Sequence, residues 1–419
     1  MNSCITFYKR IPPPPPSPPQ TSASESTDES TSESTDENKP DLLDTIFGIP
    51  WAQKCQQIRQ SSPYGKVKGW RLASFIMKAG EDIRREALVM QVISKLNHWF
   101  QQDLPKPMRP YLRPYTIMCV GGDAGMLECL PDAKSVDEVK KLTYGFTTLR
   151  DYFERAYGAP STKAASSSSS SSQSQLQSSP LQQGYAPYQH FTPPYAHPLS
   201  SNMPHVPPPP PPPILTSSTT NTSPQQKQKQ KQKNNSISFE QAQDNFLRSL
   251  VGYSLVCYIL QIKDRHNANI LIDRRGHLMH IDFGFVLGDT PKMGKVPLFS
   301  ERAPFKLTTE FWDVIGGWND IQEGGHGVRF CKMFEAAFAC ASNHAEEIAS
   351  LVEAAILNLT SNALRARALA DGIRSRLRMR GPKDSAAQKT FIMELVNSAL
   401  TSWGTSTYDW LQKSMNGYQ

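Results

Sequence analysis

The chain has 419 residues, a formal net charge of +7 and 34 prolines. Its acidic residues are concentrated near the start and its basic residues further along, so the net charge alone does not indicate a nucleic-acid-binding protein. No stretch has the apolar core of a signal peptide or the length of a membrane span, and the seven cysteines lack the paired spacing of a metal site. We therefore expect a cytoplasmic protein with reduced cysteines and no nucleic-acid partner.

The first forty residues contain little that a hydrophobic core could bury. Residues 12–19 are almost all proline and favour an extended polyproline helix, and residues 21–37 are a run of Ser, Thr, Glu and Asp. We expect a disordered tail over residues 1–40. The proline run fits the aromatic grooves of SH3- or WW-type domains or of profilin-like proteins, and a plain solvated tail is the alternative.

Ordered structure is expected from Asp41, beginning with a polar helix over residues 52–60. A stretch of small and turn-forming residues follows and contains Ser62, Tyr64 and Gly65. Such a stretch suits a loop that closes over an anion with exposed backbone N–H groups, and a common surface hairpin is the alternative.

The next apolar segment ends at Lys78, where a charged side chain is costly unless it meets an anion. Glu86 follows eight residues later, in a segment whose apolar residues recur with helical spacing. We therefore expect a strand that carries Lys78, a helix that carries Glu86, and an ion pair between them. Two further apolar segments, 115–120 and 125–130, predict a hairpin.

Helical patterns follow at residues 135–141 and 149–157 and again at 237–260, where the segment becomes increasingly apolar. Between them, residues 159–236 are rich in Ser, Gln and Pro and end in a Gln-Lys alternation. We interpret 159–236 as a disordered low-complexity insertion between two helices. Its basic part could touch anionic lipid, although a solvated linker is favoured.

The most informative stretch runs from Gln261 to Gly284. It opens with a polar loop that contains Asp264, Arg265, His266, Asn267 and Asn269. Two apolar runs joined by a turn at Gly276 then lead to Asp282, which begins an Asp-Phe-Gly triplet. The interval of five residues from Asp264 to Asn269 matches the catalytic loop of protein kinases, and the hairpin would bring Asn269 and Asp282 to one metal ion. Hard oxygen ligands of this kind suit magnesium that is shared with substrate phosphates.

Residues 285–305 contain Gly and Pro and predict an activation loop, which holds Lys292, Lys295 and Arg302 and leads to Lys306. The bases of this loop are separated from one another. Helical periodicity returns after residue 327. Six arginines between residues 365 and 380 would form either a membrane-facing patch or a solvated face.

The order Asp264-Arg265-His266 followed by Asn267 differs from the His-Arg-Asp of protein kinases and resembles the phosphatidylinositol 3- and 4-kinase superfamily. The similarity is strongest to the beta class of phosphatidylinositol 4-kinases, and it covers most of residues 51–157 and 239–317. It implies an α+β, two-lobed protein-kinase-like fold, with a small β-rich lobe over residues 41–130 and a larger helical lobe over 131–158 and 237–419. Ala268, where the family usually has Gly, and Pro131 depart from the pattern.

The resemblance further implies that ATP and Mg²⁺ (or Mn²⁺) serve to phosphorylate phosphatidylinositol at the 4-hydroxyl. It assigns nucleotide binding to Ser62, Tyr64, Gly65, Lys78, Glu86, Glu128, Leu130 and Ile281, with Leu130 as the backbone donor to adenine. It assigns catalysis to Asp264, Arg265 and His266, metal binding to Asn269 and Asp282, and substrate contacts to Lys292, Lys295, Arg302 and Lys306. Either Asp264 or His266 would take the hydroxyl proton, and Arg265 is expected to be a structural partner of a nearby carboxylate.

By resemblance alone, regulators would be small GTPases or calcium sensors, and the location would be the surface of the Golgi or other endomembranes. Three alternatives remain open. A phosphatidylinositol 3-kinase is the first, because these residues alone do not distinguish the 3-hydroxyl from the 4-hydroxyl. A protein kinase of the superfamily is disfavoured by Asn267 and the Lys306-Leu-Thr block. A non-catalytic scaffold is disfavoured because the expected nucleotide and metal groups are present.

Overall fold

The computed structural model describes residues 41–80, 82–158, 237–290, 292–293, 296–297, 303–317, 325–383 and 385–402, with backbone only at 292–293 and 296–297. The predicted tail, the predicted insertion, Lys295, Arg302 and the side chain of Lys292 lie outside the described residues. All described residues belong to one compact unit that is built from both sides of the gap at 159–236.

The first part of the unit combines a small sheet with one long helix. Its elements are α1 (Leu42–Phe47), α2 (Trp51–Ser61), β1 (Phe75–Ala79), α3 (Arg84–Asp103), β2 (Ile117–Cys119) and β3 (Ala124–Glu128). The three strands pair antiparallel in the order β1-β3-β2, which places Lys78 opposite Gly125. A Cβ at position 125 would lie 1.8 Å from Cδ1 of Ile83. Glycine at 125 therefore lets the start of α3 approach the sheet beside Lys78.

Helix α3 owes its place to its apolar positions. Leu88, Val92 and Leu96 are buried, and the helix packs on β2 and on two C-terminal helices. Because these positions recur every four residues, they form one continuous stripe along the helix. Glu86 is buried at the start of α3, which fixes where its carboxylate can point.

The second part of the unit contains another three-stranded sheet. Its elements are β4 (Ala133–Ser135), α4 (Val136–Leu142), α5 (Leu149–Tyr157), α6 (Phe239–Leu260), β5 (Ile270–Asp273) and β6 (Leu278–His280), with the antiparallel strand order β4-β5-β6. Ser238 and Gln241 form a capping box that starts α6, and Gln261 ends the helix with φ of +47°. Most of α6 is buried, so its C-terminal end provides a fixed origin for the loop that follows.

The described residues of the last part include an antiparallel strand pair, β7 (Lys292–Met293) and β8 (Val296–Pro297), and several helices. Its helices are α7 (Thr309–Val314), α8 (His326–Asn343), α9 (Ala345–Thr360), α10 (Ala363–Arg376) and α11 (Ala386–Leu400). Helices α8 and α9 support α3, and α6 packs on α8. The arginines of this region take separate roles: Arg374 pairs with Glu346, and Arg376 donates to the carbonyl of Ile259.

The α+β class and the predicted hairpin and helices are confirmed in the described part of the chain. The strand that carries Lys78 begins at Phe75, and residues 70–74 before it adopt no regular secondary structure. Among the described helices, none combines the length and apolar character that crossing a membrane would require.

Candidate functional site

Lys78, Glu86 and Asp282 meet at the edge of the first sheet. Lys78 Nζ lies 3.7 Å from Oε2 of Glu86 and 3.8 Å from Oδ2 of Asp282. The Glu86 side chain is 5% exposed, whereas that of Asp282 is 50% exposed. The Lys78 ammonium thus lies between a buried carboxylate, that of Glu86, and an exposed carboxylate, that of Asp282.

Tyr115 completes the buried side of this group. Its hydroxyl donates a short hydrogen bond to Oε1 of Glu86, which leaves Oε2 facing Lys78. Burial raises the pKa of Glu86, while the hydrogen bond from Tyr115 and the charge of Lys78 oppose that shift. Sequence reasoning missed Tyr115, because its position before β2 suggested only an apolar strand residue.

The polar loop after α6 is shaped by backbone and amide contacts. Asp264 has φ of +65°, a conformation that Asp tolerates better than most residues. Nδ2 of Asn269 donates to the carbonyl of Asp264 at 3.1 Å, and Nε2 of His266 lies 3.9 Å from Oδ1 of Asp264. The N–H of Ile281 donates to the carbonyl of Asn269 at 3.1 Å, so the loop and the residue before Asp282 are adjacent.

Arg265 connects this loop to the residues around Asp282. It is 2% exposed, and its guanidinium donates to the carbonyls of Lys263, Ile281 and Asp282. It also lies over the ring of Phe283, 5.2 Å from the centroid. The expected partner of Arg265 was a carboxylate, and the structure shows backbone carbonyls instead. These oxygens are available because Ile281 and Asp282 lie beyond the last paired residue of β6.

Asn269 and Asp282 offer oxygen atoms that fit a magnesium ion. The hydrogen bond from Nδ2 of Asn269 leaves its Oδ1 as an acceptor. The backbone of Asp282 has φ of +59°, and its carboxylate is exposed. No group of three or more His, Cys, Asp or Glu side chains suited to a metal occurs within the described residues. A site with one carboxylate and one amide oxygen suits magnesium whose remaining ligands are substrate phosphates and water.

Lys306 was predicted to contact substrate, but it is 3% exposed. Its Nζ donates to Oδ1 of Asn267 at 3.1 Å. Lys306 therefore lies inside the protein against the polar loop after α6, between the buried residues Phe305 and Leu307. The other predicted substrate contacts, Lys292, Lys295 and Arg302, lie outside the described side chains.

Gly65 was expected to expose its N–H to an anion, and the structure gives it another role. Its N–H donates to the carbonyl of Ser62 at 3.0 Å, and its carbonyl accepts from Nε of Arg59 at 2.8 Å. A Cβ at this position would lie 1.9 Å from the carbonyl oxygen of Arg59. Glycine is needed here for close packing on the end of α2, while Tyr64 beside it is 59% exposed.

The predicted adenine-binding segment follows β3. The carboxylate of Glu128 accepts from the N–H of Thr116 at 2.9 Å and from the guanidinium of Arg113 at 3.2 Å. The side chain therefore joins the end of β3 to the residues that precede β2. The N–H of Cys129 donates to the carbonyl of Ser74 at 2.8 Å. For the N–H of Leu130, the described residues provide no hydrogen-bond acceptor.

Comparison with known proteins gives matches over the same residues. The family model for phosphatidylinositol 3- and 4-kinase matches residues 73–362, more than half of the chain. A phosphatidylinositol 4-kinase of Dictyostelium discoideum is 36% identical over 66% of this chain and 16% of its own length. Phosphatidylinositol 4-kinase beta of Rattus norvegicus is 30% identical over 88% of this chain and 34% of its own length.

The chain therefore spans about a third or less of the length of these relatives. The matched segment begins just before β1 and extends to the start of α10, so it includes Lys78, the Asp264 loop and Asp282. Since the geometry and the family model meet on these residues, the chain belongs to the phosphatidylinositol 3- and 4-kinase family.

Proposed function

We propose that this chain transfers the γ-phosphoryl group of ATP to the 4-hydroxyl of phosphatidylinositol and so forms phosphatidylinositol 4-phosphate. The observation that carries the proposal is the position of Lys78 Nζ, 3.7 Å from Glu86 and 3.8 Å from Asp282. A strand lysine paired with a helix glutamate is the arrangement by which kinases hold nucleotide phosphates. The names of the relatives supply the choice of lipid and of hydroxyl.

The binding of nucleotide follows from three groups. The Lys78 ammonium binds the phosphates, Glu86 keeps that ammonium in place, and the N–H of Leu130 donates to the adenine ring. Ile281 is half-buried next to Asp282 and lines the nucleotide cleft. Asn269 and Asp282 would hold magnesium, which supplies neutralisation of the phosphate charge when bound.

Transfer requires that the lipid hydroxyl lose a proton as it attacks. Nε2 of His266 lies 3.9 Å from Oδ1 of Asp264, and we assign proton acceptance to this pair. Arg265 acts by holding the loop against the residues around Asp282. Most of the rate enhancement comes from positioning and from electrostatic stabilisation of the transferred group.

The substrate enters from a membrane surface, and unphosphorylated phosphatidylinositol is the preferred lipid. The bases of the activation segment, Lys292, Lys295 and Arg302, are separated in sequence, whereas a phosphorylated inositol ring would need several donors that converge on its phosphates.

We assign the smaller lobe to residues 41–130 and the larger lobe to 131–158 and 237–419. By family resemblance, the membrane is that of the Golgi or another endomembrane.

The decisive experiment incubates purified protein with magnesium-ATP and phosphatidylinositol vesicles and identifies the headgroup isomer of the product. The expected product is the 4-phosphate, with slower turnover on mono- and bisphosphorylated lipids in vesicles of equal surface charge. A 3-phosphate product would overturn the assignment of the hydroxyl. Phosphorylation of peptides in place of lipid would overturn the lipid substrate altogether.

A further inference from the structure

Asp289 lies just beyond the Asp-Phe-Gly triplet and joins two helices that are far apart in sequence. Its Oδ2 lies 2.7 Å from Nη1 of Arg85 in the first turn of α3, and its Oδ1 lies 3.2 Å from Nη2 of Arg365 in the first turn of α10. All three side chains are partly exposed, so water weakens each pair. The significance of the contact therefore lies in the elements that it connects.

The backbone before Asp289 has an uncommon conformation. Leu287 has φ of +57° and Gly288 has φ of +85°, and the N–H of Asp289 donates to the carbonyl of Val286 at 3.1 Å. A leucine seldom adopts positive φ, because its Cβ then crowds the backbone. Such a residue persists where the surrounding structure holds it, often next to a functional site. The turn thus fixes the backbone from which the Asp289 side chain extends.

The same turn is fixed to the catalytic loop. The N–H of Leu287 donates to the carbonyl of Leu260 at 2.7 Å, and the N–H of Lys263 donates to the carbonyl of Phe285 at 2.9 Å. Leu260 ends α6, and Lys263 immediately precedes Asp264. These two bonds join the turn to the end of α6 and to the residue before Asp264.

On the other side of the contact, Arg85 is the residue before Glu86. The distance of 3.7 Å between Lys78 and Glu86 is already longer than a direct charged hydrogen bond, for which about 2.7–2.9 Å is usual. A small displacement of the first turn of α3 is enough to separate this pair. Arg85 is the residue of α3 through which Asp289, and with it the catalytic loop, can resist such a displacement.

We propose that Asp289 is a positioning residue, which sets the first turn of α3 against the catalytic loop so that Glu86 stays in reach of Lys78. Arg365 extends the same contact to α10, so that the C-terminal helices also influence the nucleotide site. This inference rests on the proposed function for its kinetic consequence. Its structural consequence, the order of the first turn of α3, can be measured without any reaction.

The test compares Asp289→Asn with wild type and with two matched variants. Asp289→Glu keeps the charge, and Arg374→Gln removes an ion pair on the same helix as Arg365 but directed at Glu346. The readouts are KM for ATP, kcat on phosphatidylinositol vesicles, the melting temperature, and amide hydrogen exchange over residues 84–90.

For Asp289→Asn we expect kcat/KM for ATP to fall roughly three- to tenfold, mainly through KM, together with faster exchange over residues 84–90. Asp289→Glu should lie closer to wild type, and Arg374→Gln should change only the melting temperature. Unchanged exchange and unchanged KM in Asp289→Asn would overturn the inference. A wild-type protein that binds ATP but phosphorylates no lipid would overturn the proposed function, while the exchange measurement would still decide whether Asp289 positions α3.

Discussion

Lys306 donates a hydrogen bond from Nζ to Oδ1 of Asn267 at 3.1 Å, and both side chains are buried. Asn267 belongs to the polar loop after α6, so the bond connects that loop to a residue 39 positions further along the chain. A lysine at this depth requires acceptors, because an ammonium without them is costly to bury. Asn267 therefore acts as a structural acceptor in addition to distinguishing the loop from that of protein kinases.

The first prediction concerns this acceptor. Replacement of Asn267 by Ala should lower the free energy of unfolding by about 1.5–3 kcal/mol, the usual contribution of a hydrogen bond to a charged group. Urea denaturation measures the change. Asn267→Asp retains an acceptor and should be affected much less. Equal stability of the Ala variant and wild type would show that other contacts of Lys306 suffice.

The second prediction concerns Asp282. Asp282→Asn keeps the size of the side chain and removes the charge that faces Lys78 and the expected metal. We expect transfer to fall by several orders of magnitude with little change in melting temperature, since about 1.4 kcal/mol of transition-state stabilisation corresponds to each tenfold in rate. Single-turnover phosphorylation and thermal unfolding are measured on the same preparation. Wild-type turnover by the folded variant would refute the metal assignment.

The third prediction concerns Tyr115 and the pKa of Glu86. Burial already raises this pKa above its ordinary value of 4.5, and the Tyr115 hydroxyl opposes that shift. Tyr115→Phe removes the opposing hydrogen bond, so the pKa of Glu86 should rise further. Because only ionised Glu86 attracts Lys78, the pH below which ATP binding is lost should move upward.

The raised pKa of Glu86 has the opposite effect on the stability of the fold, which it favours at low pH and not at high pH. A carboxyl whose pKa is raised on folding holds its proton more tightly in the folded state, so stability falls as pH rises through the interval above 4.5. In Tyr115→Phe this decline should extend to higher pH. Calorimetric titration of ATP binding across pH tests the first effect. Tyr258→Phe, which removes a hydroxyl bonded to the carbonyl of Arg376, should leave the pH profile unchanged.

Residues that are close in sequence were the predictable part of the site. The interval from Lys78 to Glu86 indicated their ion pair, and the hairpin after Asn269 indicated that Asn269 and Asp282 converge. The resemblance to kinases implied that these two groups share one site. Tyr115 and Asp289 reach the site through tertiary packing, and no local spacing reveals that. The two apolar segments at 115–120 and 125–130 likewise predicted the hairpin of β2 and β3, whereas the irregular backbone at 70–74 was not predicted.

Gly65 illustrates a different limit. Glycine can be required by an exposed N–H, by positive φ or by a close backbone approach, and a single sequence does not distinguish these causes. At Gly65 the cause is the carbonyl of Arg59, 1.9 Å from where a Cβ would lie. Arg265 was similarly ambiguous, because a buried guanidinium can be satisfied by carboxylates or by carbonyls.

The fourth prediction concerns His344, which stacks on Trp99 at 4.1 Å and contacts Asp103 at 3.0 Å and Glu347 at 2.9 Å. Burial lowers the pKa of His344, but the hydrogen bonds to Glu347 and Asp103 outweigh burial, and the pKa is raised above 6.5. The stabilisation is therefore complete below pH 6.5 and is lost as pH rises through the raised pKa. The melting temperatures of wild type and His344→Gln should differ most at acidic pH and converge as pH rises.

The fifth prediction concerns residues 159–236. Deletion of this segment, with a short linker between α5 and α6, should leave phosphorylation and melting temperature nearly unchanged, because its composition offers little apolar surface to bury. The entropy of loop closure also depends only weakly on length. Unfolding of the shortened protein, or protection of the segment from protease in the full chain, would contradict the interpretation as an insertion without a structural role.

The seating of Phe283 under Arg265 has a consequence for inhibitor design. Phe283 is fully buried, and the guanidinium above it donates to the carbonyls of Ile281 and Asp282, the two residues that precede Phe283. A nucleotide-competitive compound that gains room by expelling this ring would have to break those bonds and hydrate a whole aromatic side chain. If the proposed nucleotide site is correct, compounds that leave Phe283 in place and offer an acceptor to the N–H of Leu130 and an anionic group to Lys78 avoid that cost.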